Sequence, residues 1–362
     1  MERTANIDLA AWRSSPAALA TSRQLSTRVF AGILIACACL SALLASWLPL
    51  QVSVVTVFLF AGPHNWFELR YFLMRMPVRF GRSRNFFVIA FAGIGFLTLA
   101  YVSLPLLNAF SLWPDNVWPT ILASWNTLLL LWLGLLVGLR GRQKPKRDWS
   151  WAIPSSLGLC SLNWLAPEFF SLAIVYLHPL VALWFLDRHL RRRRPAWLRA
   201  YRVCLGLLPL LLIGMFWQLT RTPALADDNG LFWRITQHAG AQLLPNISSH
   251  ALVAVHVFLE MLHYGVWLIA LPLIAPLAKP ATGRLSPAAR KRARVWDVSS
   301  VPLARHPRGF PTLVTIALAF GVFLVAILWF GFSVDYVTTR DVYFTVAIAH
   351  VLAEAPFLLK MI

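Results

Sequence analysis

Long apolar runs, separated by short polar segments, fill most of this sequence. A transmembrane helix needs about 20 mainly apolar residues, and most of the runs reach that length. The fifth run is shorter, and Asn163 to Pro167 predicts a turn between it and the sixth. The pattern predicts an all-α fold, a polytopic membrane bundle of about ten transmembrane helices. The predicted spans are 29–48, 52–76, 86–108, 120–139, 150–164, 168–188, 203–220, 250–277, 311–332 and 342–360.

The composition agrees with a membrane protein. Apolar residues make up 59% of the 362 residues and charged residues 13%, whereas soluble domains are about 25% charged. The four cysteines lie in apolar stretches and include no zinc-type CxxC pair, and we expect no disulfide framework.

The formal net charge of +19 is distributed in a pattern typical of membrane topology. If all ten spans cross, 30 of the 33 Lys and Arg residues lie on one side. By the positive-inside rule, both termini are then cytoplasmic. The same rule accounts for the charge without a nucleic-acid partner, and we predict membrane lipid as the contact of the basic loops.

This topology defines the predicted domain organisation. Residues 1–28 are a cytoplasmic N-terminal segment, and 29–362 form a single transmembrane domain with a basic cytoplasmic loop at 279–308. The first apolar run lacks a following small-residue cleavage site, so we expect a retained helix rather than a cleaved signal peptide. The expected location is the bacterial inner membrane.

Ionisable residues inside the predicted spans follow one motif, His-x-x-x-Glu. With nine His and only five Glu, random placement would give about 0.1 such pairs, but the chain has three within spans two, eight and ten. Charged or titratable groups are costly inside a membrane and mark functional sites. The pairs are His64 and Glu68, His256 and Glu260, and His350 and Glu354.

The spacing places each pair on one helix face, because residues four apart are neighbours on a helix. His263 extends the stripe of span eight, and His178 adds a histidine in span six, where Pro179 follows it and no Glu is at helical spacing. All four spans run in the same direction in the predicted topology. Their histidines lie at similar depth, as a single intramembrane site would require.

Neutral imidazole is the commonest protein metal ligand. A site of His and Glu suits iron, manganese or zinc, and we expect non-haem iron. Either the histidines hold one metal while the carboxylates orient them, or both residue types bind two metals. We favour the first arrangement because His outnumber Glu. The predicted metal ligands are His64, His178, His256, His263 and His350, and the predicted catalytic carboxylates are Glu68, Glu260 and Glu354.

Four histidines remain outside this site. His189 and His306 lie in basic loops and His238 in the outer loop, and we expect all three to be solvated at the surface. His250 precedes His256 by six residues and lies on the opposite helix face, which indicates a structural or interfacial role.

Residues 62–68, with the sequence GPHNWFE, carry a family resemblance. The segment resembles the Pro-His-Gly-x-x-Asp motif of the bacterial and archaeal membrane β-carotene dioxygenases related to bacterioopsin-linked protein. The resemblance implies a helical membrane enzyme that holds non-haem iron by histidines and cleaves β-carotene to retinal. It implies that His64 is a ligand and that Glu68 supports it. Asn65 stands where the family has Gly, and Glu68 where it has Asp.

The leading functional hypothesis is therefore a membrane-embedded, non-haem metal-dependent oxidoreductase or oxygenase that acts on a lipophilic, carotenoid- or isoprenoid-like substrate. Two alternatives stay open. A haem- or chlorin-binding membrane subunit would use intramembrane His as axial ligands, and a proton-coupled transporter would use His–Glu pairs as a relay. A purely structural interpretation, in which each pair only neutralises itself, also remains.

Overall fold

The computed structural model describes residues 26–109, 114, 117–144, 148–226, 229–274, 298, 301–307 and 309–361. The described residues form helices joined by short connections, without a strand. The helices are α1 (Thr27–Trp47), α2 (Pro49–Arg75), α3 (Arg84–Ala109), α4 (Trp118–Gln143), α5 (Ala152–Leu165), α6 (Pro167–Arg193), α7 (Pro195–Leu219), α8 (Gly230–His238), α9 (Ser249–Gly265), α10 (Leu271–Ile274), α11 (Pro302–Arg305), α12 (Pro311–Val334) and α13 (Tyr336–Met361).

Eight described helices are long and apolar enough to cross a membrane. They are α1, α3, α4, α6, α7, α9 with its continuation to Ile274, α12 and α13. The predicted all-helical membrane fold is thus confirmed. The count of ten is not, because α5 has only 14 residues and α2 interrupts its apolar run with His64, Asn65 and Glu68. The cytoplasmic placement of the termini stays a prediction. Residues 1–25 and most of the 279–308 loop lie outside the described residues.

Proline starts many of the helices. A proline at the first turn forfeits only an N–H that has no intrahelical partner. Single residues therefore suffice to separate consecutive helices: Leu48 between α1 and α2, Ala166 between α5 and α6, and Arg194 between α6 and α7. These tight joints hold consecutive helices side by side.

Four helices form a closed ring at the centre of the bundle. α2 packs against α9, α9 against α6, α6 against α13, and α13 against α2. The remaining long helices surround this ring, with α1 and α7 against α9, α12 against α2, and α3 and α4 against α13. Of the eight apolar helices, α9 has the most buried span. The ring helices carry every predicted site residue.

The outer surface of the bundle is apolar. Leu99 on α3 and Phe330 on α12 are each 72% exposed, and many other large apolar side chains point outward. A soluble protein does not expose apolar surface on this scale. Contact with membrane lipid accounts for it.

Candidate metal centre

Each helix of the central ring is irregular next to its site residues. Pro63 precedes His64 in α2, Pro179 follows His178 in α6, and Pro356 lies two residues after Glu354 in α13. Proline inside a helix removes one backbone hydrogen bond. In α9 the irregularity is a π-helical turn at Val266–Ala270, directly after His263. Such turns often occur at functional sites.

The backbone of α2 fixes the orientation of His64. Its Nδ1 lies 2.9 Å from the carbonyl oxygen of Phe60, one turn earlier. A carbonyl only accepts hydrogen bonds, so Nδ1 carries the proton and donates it. Nε2 of the neutral ring then holds the free lone pair. This is the tautomer that a metal ligand bound through Nε2 requires.

Six side chains converge between the ring helices, and we call them the inner cluster. One donor atom from each of His64, Glu68, His263 and His350 lies within 4.8 Å of the others. His178, His263 and Glu354 form a second group by the same measure, so His263 belongs to both groups. The inner cluster therefore consists of His64, Glu68, His178, His263, His350 and Glu354.

Two imidazoles of the inner cluster bring nitrogens close together: the Nε2 atoms of His178 and His350 lie 3.2 Å apart. Two neutral imidazoles place such atoms together only if one donates a proton to the other or both face a cation. Two nitrogens that each lie about 2.0 to 2.1 Å from one metal, at octahedral or tetrahedral angles, are about 2.8 to 3.4 Å apart. The spacing fits adjacent ligands of a single metal ion.

Glu354 of α13 faces His178 of α6. The His178 Nδ1 atom lies 3.0 Å from Glu354 Oε2. Sequence spacing assigned Glu354 to His350 on its own helix and left His178 without a carboxylate. The structure instead places Glu354 beside the ring nitrogen of His178 that points away from His350, which is where a carboxylate orients a metal-binding histidine.

Glu68 differs from Glu354 in its surroundings. It is 1% exposed, and among the described residues neither carboxylate oxygen has a hydrogen-bond partner. A buried carboxylate without partners is costly. Its inclusion among the converging donor atoms fits a direct metal ligand better than an orienting role.

The third pair lies outside the inner cluster. His256 Nδ1 is 3.8 Å from Glu260 Oε2, and neither residue belongs to the two groups of converging donor atoms. His256 precedes His263 by seven residues, or about 10 Å along a helix. Its ring instead lies 5.1 Å from that of His238, between centroids. We call His256, Glu260 and His238 the outer group.

The four histidines of the inner cluster and the three residues of the outer group face one cavity of about 510 Å³. Helices α2, α9 and α13 each contribute a His-x-x-x-Glu histidine to its wall, as expected from their shared spacing. The cavity also contacts aliphatic side chains of α6 and α13, including Ile174, Val175 and Ile348. Its volume lies in the range typical of small-molecule sites.

The predicted solvation of His238 is wrong. His238 is half-buried and lines the cavity, because the outer segment folds into the short helix α8, which packs against α9. Asn229 caps this helix by accepting a hydrogen bond from the Phe232 amide at 2.8 Å. Burial lowers the pKa of His238 well below its usual range.

The predicted solvation of His189 is also wrong. His189 is 4% exposed, since α6 continues to Arg193 and turns this face toward α2. His306 is exposed, as predicted. His250 has the predicted structural role, because its Nε2 lies 2.8 Å from the Ser46 carbonyl oxygen and joins α9 to α1.

Sequence reasoning also missed Arg340. It lies two residues before predicted span ten, yet it is 4% exposed and lines the cavity. Its guanidinium lies 4.6 Å from the centroid of the Phe344 ring, one turn further along α13. That spacing of four to an aromatic residue is the one sequence signal that indicated an inward-facing arginine.

No family model, curated protein or solved structure matches this chain.

Proposed function

We propose that this protein is a membrane-embedded, non-haem metal-dependent oxygenase that acts on a lipophilic, isoprenoid- or carotenoid-like substrate. The observation that carries the proposal is the convergence of four imidazoles and two carboxylates in the centre of an apolar bundle. Nitrogen and oxygen donors of this kind suit iron, and also manganese or zinc. Iron is the proposed metal because it supports oxygen chemistry.

The geometry supports a division of roles. His64, His263 and His350 would bind the metal with Glu68, and His178 would join them through Nε2. Glu354 would hold the His178 ring in place and keep it basic. A carboxylate behind a ligating histidine fixes the tautomer and raises ligand basicity.

His256 and Glu260 fit a different role from the one predicted for them. They line the cavity but lie outside the two groups of converging donor atoms. We therefore propose that they position substrate or move a proton.

The cavity supports a lipophilic substrate. Aliphatic side chains of α6 and α13 line it together with the histidines. A bound redox metal supplies the activation of dioxygen. Cleavage of one carbon–carbon double bond by one O₂ yields two carbonyl groups, so the reaction balances without an external reductant. The apolar walls exclude water from the reacting bond.

The haem or chlorin alternative fits the inner cluster less well. Two axial ligands on opposite faces of one macrocycle would place their nitrogens about 4 Å apart, with bonds near 2 Å. The His178 and His350 nitrogens are 3.2 Å apart. The ring centroids of His263 also lie 4.7 Å from His178 and 5.2 Å from His64, which leaves no slot for a macrocycle among them.

We further propose ten crossings, cytoplasmic termini and a bacterial inner-membrane location. The distribution of basic residues supports this topology: of the 33 Lys and Arg, 30 would lie on one side. α2 then crosses despite its polar residues, because the ring helices α9 and α13 shield them.

Metal analysis of the detergent-purified protein tests the proposed function. We expect bound iron, no Soret band, and loss of the metal in His263→Ala. His306→Ala, a surface histidine outside the cavity, is the matched control and should keep its metal. Carotenoid cleavage products in a carotenoid-producing host should depend on His263 and not on His306. A folded protein that binds no transition metal would refute the proposal and favour the proton-relay alternative.

A further inference from the structure

Arg340 on α13 is a buried charge whose hydrogen-bond donors are not used by the protein. The residue is 4% exposed, and its Nε has no hydrogen-bond partner among the described residues. Asp341 Oδ1 lies 3.9 Å from Nη1, which is too far for a hydrogen bond, and the same carboxylate pairs through Oδ2 with Arg234 of α8. The Phe344 ring provides a cation–π contact but no acceptor oxygen. Arg340 therefore retains free N–H donors in the wall of the large cavity.

Glu260 on α9 is the corresponding unused acceptor. It is 7% exposed, and its Oε2 has no hydrogen-bond partner in the described part of the chain. His256 Nδ1 is 3.8 Å from this oxygen, too distant to donate to it. Glu260 lines the same cavity as Arg340, yet among the described residues no guanidinium nitrogen lies within 4.0 Å of its carboxylate. An unused donor and an unused acceptor thus line one cavity without reaching each other.

The opposite charges of these two side chains select the kind of group that fits with both. Leaving a buried donor or acceptor unpaired is costly, so a ligand that pairs both is favoured. A carboxylate or phosphate would accept from Arg340 but repel Glu260, and an ammonium group would repel Arg340. A hydroxyl is neutral and has both a donor and acceptor sites. It can accept from the guanidinium and donate to the carboxylate, which an ether or ester oxygen cannot do.

We infer that Arg340 and Glu260 bind the hydroxyl group of a lipophilic, isoprenoid-like alcohol. The inference deepens the proposed function and rests on it, because it names the substrate of that cavity as an alcohol. Ile174, Val175 and Ile348 line the cavity together with the four histidines of the inner cluster. A molecule held by its hydroxyl keeps its apolar chain against these walls, and therefore beside the proposed metal centre.

Binding of a matched ligand series to the full chain in detergent tests this inference. Farnesol carries the hydroxyl, farnesyl methyl ether has the same chain with an acceptor only, and farnesoic acid has an anionic end. Isothermal titration of the wild type should show farnesol binding about tenfold or more tightly than the ether, because the ether leaves the Glu260 carboxylate unpaired. The acid should also bind more weakly than the alcohol, because it brings a second negative charge toward Glu260.

The informative variant removes both polar side chains. Arg340→Met combined with Glu260→Leu replaces two opposite charges by apolar groups, a change that buried charged pairs often tolerate. The double variant should bind farnesol and the ether with equal affinity. Either single substitution leaves one buried charge without its counterpart and should lower the melting temperature more than the double substitution does. The ligand series on the wild type decides the inference even if a variant fails to fold.

Arg221→Met combined with Glu168→Leu is the matched control. Arg221 also lies over an aromatic ring four residues away, with its guanidinium 5.0 Å from the Trp217 centroid. It is exposed, however, and neither control residue lines the cavity. This variant should keep the wild-type preference for farnesol. Failure of farnesol to bind, equal affinities for alcohol and ether in the wild type, tighter binding of the acid, or a preference for the alcohol that survives the double substitution would overturn the inference.

Metal content, measured on the same samples, separates this inference from the proposed oxygenase function. A metal-free protein that still prefers farnesol to its ether would refute the metal-dependent function and keep the alcohol site. A protein that holds iron but binds both ligands equally would refute the alcohol site and leave the metal centre in place.

Discussion

The Glu354→Gln substitution tests whether the Glu354 carboxylate orients His178 or binds the metal directly. The substitution keeps the shape of the side chain and one acceptor oxygen, but removes the charge beside His178. Because Glu354 Oε2 lies 3.0 Å from His178 Nδ1, the change should leave the ring in place and make it a weaker donor. Loss of such a supporting partner typically reduces metal affinity about 10- to 100-fold, which corresponds to about 1.4 to 2.8 kcal/mol.

Glu68→Gln is the informative comparison. Both Glu68 oxygens lack hydrogen-bond partners in the described part of the chain, and one converges with donor atoms of His64, His263 and His350. An amide oxygen is a poorer ligand than a carboxylate, so this variant should lose more affinity than Glu354→Gln. Glu168→Gln serves as the control, because Glu168 lies in the first turn of α6 and outside the cavity.

The assay is the metal-to-protein ratio after equilibration with graded concentrations of a chelator. Wild type and Glu168→Gln should release metal together, Glu354→Gln at lower chelator concentration, and Glu68→Gln at the lowest. Wild-type retention in Glu354→Gln would refute the orienting role. A fall from two metals to one in either variant would instead establish the two-metal arrangement.

Three further predictions follow from the geometry. His263→Ala should remove the metal, whereas His256→Ala should retain it and lower turnover, and metal analysis with activity measurements checks both. Reporter fusions near positions 115, 230 and 337 should report the outer side if the predicted topology holds. Gly93→Ala should destabilise the protein by about 1 to 3 kcal/mol, because the added Cβ would overlap a buried indole of α4, while Gly95→Ala on the same helix meets open space. Thermal melts in detergent compare the two, and equal melting temperatures would contradict the packing.

Local periodicity predicted the parts of the molecule that depend on one helix at a time. The apolar runs located the helices, and the spacing of four aligned His with Glu on one face of α2, α9 and α13. Local periodicity did not predict the contacts between helices. Glu354 was paired with His350 by sequence spacing, but the packing of α13 against α6 brings it to His178.

The outer segment shows a second reason for failure. His238 was interpreted from its position in the outer loop, but α8 folds back on α9 and His238 lines the cavity together with Arg340. For polar residues near a membrane surface, the sequence has no periodic pattern that distinguishes a solvent-exposed side chain from one that lines a buried cavity. Only the packed structure makes that distinction.

The polar residues that reduce the apolar character of α2 are also the best evidence that it has a function. His64 and Glu68 are each 1% exposed, and the Glu68 carboxylate has no hydrogen-bond partner among the residues that the structure describes. A helix selected only for membrane insertion would replace them with apolar residues, because ionisable groups within a bilayer are costly. The cost is offset if a cation sits among the donor atoms, since each ligand bond then compensates the lost hydration. The same two residues therefore explain why hydropathy alone finds eight helices, and why we place the metal centre in the ring to which α2 belongs.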